Sequence, residues 1–262
     1  MDKLEQIQFV GGYSRHQVFE DFLDLSLYAL QRDDESYLDV MDSYGEEEAQ
    51  LYSEALGELL NASESANHDV LGVVYEEMGN SSDHFGQHFT PHNLSDMKAE
   101  MVIGQDDVDE DREEPYSIMD PAAGSGRLLI SAAKQLPAGD AEFYAVDKDS
   151  TVAKMAALNL TFFNMDGYVV HGDSLTQDYH RVWATKGSAL GGSVQELDED
   201  QWTNPYDQEV SEEPTGDDLD EDPAEGSQQD PEESGQVDTP DIDFEEVRET
   251  TLSDFTDGGG SQ

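Results

Sequence analysis

Cysteine is absent from the 262-residue chain. Disulfides and thiolate metal sites are excluded with it. Basic side chains are scarce: 12 Lys plus Arg stand against 62 Asp plus Glu, for a formal net charge of −50. Phosphates repel such a surface, so nucleic-acid contact would need the few cations gathered on one face, such as Arg127, Lys148, Arg181 and Lys186, or a partner subunit. Long apolar runs are also missing. None is long enough to span a bilayer, and the N-terminal MDKLEQIQFV has neither a basic n-region nor an apolar h-region. A soluble, cytoplasmic protein with no membrane partner is the expectation.

Acid is not spread evenly. After about Glu196 the chain is almost devoid of apolar clusters and of basic residues. Such a segment cannot bury enough surface to offset the cost of ordering, so 196–262 is expected to be a disordered acidic tail. The remaining acid excess fits either a nucleic-acid-mimicking or partner-binding surface, or a high-salt cytoplasm. At about 1 M salt the Debye length shrinks to about 3 Å and like charges stop repelling. Scarce lysine and acidic loops throughout favour the halophilic reading.

The first half of the chain reads as helical. SRHQVFEDFLDLSLYALQ (14–31) places Val18, Phe19, Phe22, Leu23, Leu25, Leu27 and Leu30 near helical spacing, with Ser14 as a cap. Further helices are expected over 46–60 and 69–79, and a short one over 91–101, where Pro91 suits the first turn. The segments 79–90 and 104–115 read as loops. His84, His88 and His92 recur every four residues, but Gly86 and Pro91 interrupt any helix that would align them, so no metal site is expected. Tyr75 and Met78 read as core or rim.

From residue 116 the pattern changes. YSIMD (116–120), EFYAVDKD (142–149) and YVVHGDSL (168–175) read as strands. GRLLISAAKQL (126–136) and STVAKMAALNLTFFNM (150–165) read as helices, the second capped by Ser150. Strand–helix–strand–helix–strand implies a parallel, open α/β sheet. Trp183, Lys186 and the Gly191-Gly192 pair are expected to close the packing of the third strand rather than to cover a site.

Ligands of such sheets bind at the carboxyl ends of the strands. Asp120, Asp147 and Asp173 lie there, and the turn PAAGSG follows Asp120. Its glycines allow positive φ and close approach of backbone to a ligand. Arg127 and Leu128 stand where a phosphate-binding loop would carry Lys and Ser or Thr, and the acid before the turn disfavours a pyrophosphate. A carboxylate ending the second strand can accept both ribose hydroxyls, and one ending the third can accept from an exocyclic amine. The set suits a nucleoside that carries positive charge. S-adenosyl-L-methionine has an ammonium, a sulfonium, a ribose and an adenine.

These motifs resemble those of the N6-adenine DNA methyltransferases related to type I restriction-modification methylase subunits. DPAAGSGRLLISAA is similar to the family's first motif, and DVLGVVYEEMG followed by FGQHFTPHNLSDMKAEM to the segment upstream of it. AVDKDSTVAKMAALNLTFFNM and VVHGDSL are similar to the second and third motifs. The resemblance covers about residues 69–175. It implies a Rossmann-like, S-adenosylmethionine-dependent methyltransferase sheet, here partial. The implied domains are a helical region over 1–88, a cofactor-binding domain over 89–195 and the tail over 196–262. The implied pocket is Phe89, Thr90 and Pro91 at the methionine end, then Asp120, Ala122, Gly124 and Gly126, with Asp147 on the ribose and Asp173 facing the adenine. The implied substrate is DNA at a target adenine, with a specificity or nuclease subunit as partner.

The family's catalytic motif is Asn or Asp, two prolines, and Tyr or Phe, at the end of a fourth strand. Its amide and a backbone carbonyl orient the adenine amine, and its ring stacks on the flipped base. After Leu175 no apolar fourth strand ending in that motif is found. The nearest candidate is Asn204-Pro205-Tyr206, which lacks one proline and follows Trp202. Two expectations follow: a DNA adenine-N6 methyltransferase or methylase subunit, or a catalytically inactive relative acting as a regulatory or DNA-mimicking protein.

Overall fold

The computed structural model describes residues 2–78, 89–103, 112, 114–198 and 201–202. Residues 2–197 belong to one compact unit. A second unit covers 198–242; within it the Gln201 amide donates to the Asp198 carbonyl.

Among the described residues six helices come first: α1 (Asp2–Gly11), α2 (Arg15–Gln31), α3 (Asp34–Met41), α4 (Glu46–Ser65), α5 (Val70–Glu77) and α6 (His92–Val102). Ser14 caps α2 as expected, accepting from the Gln17 amide at 3.1 Å. The seven apolar positions read from the sequence of α2 are all buried. Asp69 caps α5 and accepts from the Gly72 amide at 2.7 Å. Helices α1 and α3 were not anticipated; α3 has no buried residue, so its sequence carries no apolar stripe to read.

The second half is a five-stranded sheet in the order β1 (Tyr116–Asp120), β2 (Ala141–Asp147), β3 (Asp166–Asp173), β4 (Asp178–Lys186), β5 (Ser193–Leu197). The helix α7 (Arg127–Ala133) joins β1 to β2, and α8 (Ser150–Phe162) joins β2 to β3. The pairs β1–β2 and β2–β3 are parallel, as the alternation of strands and helices predicted. The cap of α8 is Asp149, not Ser150; its carboxylate accepts from the Thr151 amide at 2.9 Å and the Val152 amide at 3.3 Å.

Two strands that the sequence reading did not mark follow the third. β4 runs antiparallel to β3, and β5 antiparallel to β4. DYHRVWATK is not a continuous apolar run: its first four residues are polar and at least partly exposed, and only Val182 to Thr185 are buried. Trp183 points from β4 into the core and is fully buried. At the outer edge, the Gln31 side chain of α2 accepts the Glu196 amide of β5 at 2.7 Å, which occupies a backbone donor of an edge strand.

Helices and sheet share one apolar cluster. It runs from Leu4 and Phe19 through Tyr75 and Met78 to Met155, Leu158, Val169 and Trp183. The helix α8 lies at its centre, with every residue from Thr151 to Thr161 buried. Lys154 on this helix is buried too and pairs with Asp24 at 2.7 Å and Glu20 at 3.2 Å, both on α2.

Candidate functional site

The register sets the site. Asp120 of β1 lies beside Ala145 of β2, and Asp147 of β2 beside His171 of β3, two residues before Asp173. Because β1, β2 and β3 are parallel, the three acids stand at one end of the sheet. The turn Pro121–Gly126 closes over that end. The Ala123 amide donates to the Val146 carbonyl at 3.0 Å, and the Ser174 hydroxyl donates to the Pro121 carbonyl at 2.8 Å. The segments after β1 and after β3 are thereby held together.

Each carboxylate is engaged by backbone. Asp120 accepts from the Ala122 amide at 3.1 Å. Asp147 accepts from the Gly124 amide at 2.8 Å on one oxygen and from the Asp149 amide at 2.9 Å on the other. Asp173 accepts from the Leu175 amide at 2.9 Å and the Thr176 amide at 3.3 Å. Burial pushes the pKa of both Asp120 and Asp147 above the ordinary carboxylate value; Ala122 partly offsets this for Asp120, and Asp149 and Gly124 for Asp147. The negative charge of Asp147 raises Asp120 further.

Both glycines of the turn adopt the positive φ their positions predicted. Gly124 has φ +56° and Gly126 φ +80°. A Cβ on Gly124 would come within 3.1 Å of the Phe89 ring. Phe89 therefore packs directly on the turn, and its ring also approaches Tyr75 at 5.8 Å between centroids. Thr90 is half-buried and Pro91 exposed, at the start of α6. The structure brings Phe89, Gly124 and Asp147 into one connected group. Asn204, Pro205, Tyr206, His84 and His88 lie outside the described residues. His92 begins α6, where its ring meets that of His68 edge-on at 4.9 Å.

Sequence reasoning missed a buried polar cluster beneath the turn. Asp69 is fully buried. Besides capping α5, it accepts from the Ser125 hydroxyl, from Arg127 Nε at 3.1 Å and from Asn159 Nδ2 at 2.8 Å. The other end of the Arg127 guanidinium donates from Nη1 to the Thr90 carbonyl at 3.0 Å, and its carbon lies 5.1 Å from the Phe89 ring centre. The sequence did carry a signal: Asn159 interrupts an otherwise apolar stretch of α8, and a buried amide there demands a partner.

Three of the cations named as candidates for nucleic-acid contact are paired with acids in the structure. Arg127 is buried against Asp69. Arg181 forms a two-pronged pair with Glu196 across β4 and β5, and Lys186 pairs with Asp166. These three cations are held by neighbouring acids, whereas Lys148 is exposed.

Comparison with known proteins identifies the family. Residues 66–221 match the family N-6 DNA Methylase. The chain belongs to that family. S-adenosyl-L-methionine is its cofactor. Among curated proteins, the Type II methyltransferase M.XamI of Xanthomonas campestris pv. amaranthicola is 27% identical over 110 residues, covering 42% of this chain and 19% of that protein. The chain thus spans about a fifth of that relative's length. A solved class I S-adenosylmethionine-dependent methyltransferase of Listeria monocytogenes aligns over 66% of this chain and 53% of its own, at 20% identity and a TM-score of 0.41. No helix among the described residues is long and apolar enough to cross a membrane.

The donor set fits the cofactor. Asp120 and Asp147 are half-buried carboxylates without a cation against them among the described hydrogen bonds and ion pairs. Hydroxyl and ammonium donors would offset that burial. Nδ1 of His171, beside Asp147, is buried without a hydrogen-bond partner among the described residues.

Proposed function

We propose that the turn Pro121–Gly126 and the tips of β1, β2 and β3 hold S-adenosyl-L-methionine for transfer of its methyl group to N6 of adenine in DNA. The observation that carries this reading is the pair of half-buried carboxylates, Asp120 and Asp147, both hydrogen-bonded to the backbone of one glycine turn. When bound, the cofactor supplies an electrophilic methyl group. Asp147 accepts from the ribose hydroxyls while its bond to Gly124 keeps the turn closed. Asp120 offers negative charge to the ammonium. Asp173 accepts from the adenine amine. Phe89, Thr90 and Pro91 line the methionine end, and Ala122, Gly124 and Gly126 bring backbone close to the ligand.

The chain acts in this reading as a methylase subunit alongside a partner that reads DNA. The burial of Arg127 against Asp69, and the pairing of Arg181 and Lys186 with acids, support this, since they reduce the positive charge this chain offers to phosphates. Asn204, Pro205 and Tyr206 are the residues proposed for the target base. Calorimetry in concentrated KCl with S-adenosyl-L-methionine tests the first half, and absence of heat overturns it. Assay of N6-methyladenine in DNA, with a co-expressed specificity subunit, tests the second. Binding without methylation, unchanged in Asn204→Ala, would favour a non-catalytic regulatory protein.

A further inference from the structure

We infer that Asp69 and Arg127 are positioning residues for the cofactor pocket: together they lock the Phe89–Thr90 segment onto the glycine turn without touching the ligand. The inference rests on the cofactor reading above.

Three pieces of chain meet at Asp69. Its Oδ1 takes the Gly72 amide of α5 and Nδ2 of Asn159 on α8. Its Oδ2 takes the hydroxyl of Ser125, between the two glycines of the turn, and Nε of Arg127 at the start of α7. Asn159 also donates to the Ser125 carbonyl at 2.8 Å, so the turn is gripped through both its backbone and its side chain. Arg127 extends the grip to a fourth piece. Its planar fork bonds Asp69 with one edge and the Thr90 carbonyl with another, and its face lies over Phe89. Phe89 in turn rests on Gly124.

The geometry leaves no slack. A Cβ on Gly72 would stand 2.0 Å from Asp69 Oδ2 and 2.6 Å from Arg127 Nη2, so glycine alone admits the carboxylate and guanidinium at that point. Glu76 stands 3.7 Å from the same Nη2, completing the charge around the guanidinium. A rigid two-ended fork is what this task needs. An ammonium is a point charge and could hold Asp69 or Thr90, but not both in one plane. A pocket whose walls are fixed before binding spends less affinity on ordering them.

The test is Arg127→Lys, which keeps a cation beside Asp69 and gives up the reach to Thr90. Two readouts are taken on the full chain: the affinity for S-adenosyl-L-methionine by calorimetry, and hydrogen exchange at the Leu94 and Ser95 amides, which bond to the Pro91 carbonyl. The inference expects affinity to fall about tenfold and those amides to exchange faster, as misplacement of a pocket wall demands. Ser125→Ala, which leaves both charges paired, is the milder variant and should move both readouts in the same direction. Lys154→Met breaks a buried ion pair on the far face of α8; it should lower thermal stability while affinity and exchange at 94–95 hold. Arg127→Lys or Ser125→Ala proteins that bind as the wild type does, with unchanged exchange, would overturn the inference. A wild-type protein that gives no heat overturns the cofactor reading itself, and this inference falls with it.

Discussion

The carboxylate of Asp147 and the amide of Gly124 lie 2.8 Å apart across 23 residues of sequence. The second oxygen of Asp147 takes the Asp149 amide. One side chain at the tip of β2 therefore shapes the turn that follows β1 and the entry to α8. In the proposed reading the same side chain serves both the fold and the ligand.

Asp147→Asn should separate these two roles. An amide offers one acceptor oxygen, so one of the two backbone donors loses its partner. Hydrogen bonds to a charged group are worth about 1.5–3 kcal/mol, so affinity for S-adenosyl-L-methionine should fall about 10–100-fold. Calorimetry on the variant, with circular dichroism to show an intact fold, is the check.

The raised pKa values of Asp120 and Asp147 make stability and binding run in opposite directions with pH. Their ordinary value is 3.8, and burial lifts both above it. A carboxylate raised in the folded state contributes stability that is present below 3.8 and lost as pH rises through the folded value. At neutral pH these groups therefore weaken the ligand-free fold. Asp120→Asn should raise the melting temperature at pH 7, and the gain should vanish on acidification. Affinity for a cationic ligand should instead drop as the pH is lowered through the same range. A Tm-against-pH series on the two proteins, with titrations at each pH, gives both curves.

Two helical glycines should respond with opposite sign. Gly57 on α4 has nothing within 4 Å of the place a Cβ would take, so Gly57→Ala should stabilise by about 0.5–1 kcal/mol. Gly72→Ala drives a methyl group into Asp69 and Arg127 and should cost about 1–3 kcal/mol as an overpacked site does. Chemical denaturation at fixed salt compares the pair.

Trp183→Ala should cost about 3–5 kcal/mol, because the ring is fully buried among Val169, Val194 and α8. The loss should appear in global unfolding. It measures how far β4 belongs to the core rather than decorating it.

The parallel half of the fold was legible because its strands are short apolar runs that each end in an acid, and because the helices between them have apolar faces. YSIMD, EFYAVD and YVVHGD announce themselves in that way. The antiparallel half was not. In DYHRVWATK the apolar residues share the strand with His180, Arg181 and Thr185, and Thr185 is reconciled with burial only by its bonds to the Met165 and Gly167 carbonyls. The pocket residues were legible as a motif, whereas their support was not. In the sequence Asp69 is only the first residue of an expected helix and Arg127 one of a few cations, until the two meet across 58 positions. Long-range pairing of that kind leaves no periodicity behind.

The reversal of direction at β4 has an effect on where the chain leaves the sheet. β4 descends from the rim that carries Asp120, Asp147 and Asp173, and β5 climbs back. Through the register, Leu197 is level with Val182, Val182 with Val170, and Val170 with Val146, one residue below Asp147. Two extra strands thus return the backbone to the pocket's own rim, where a single added strand would have dropped it at the opposite pole.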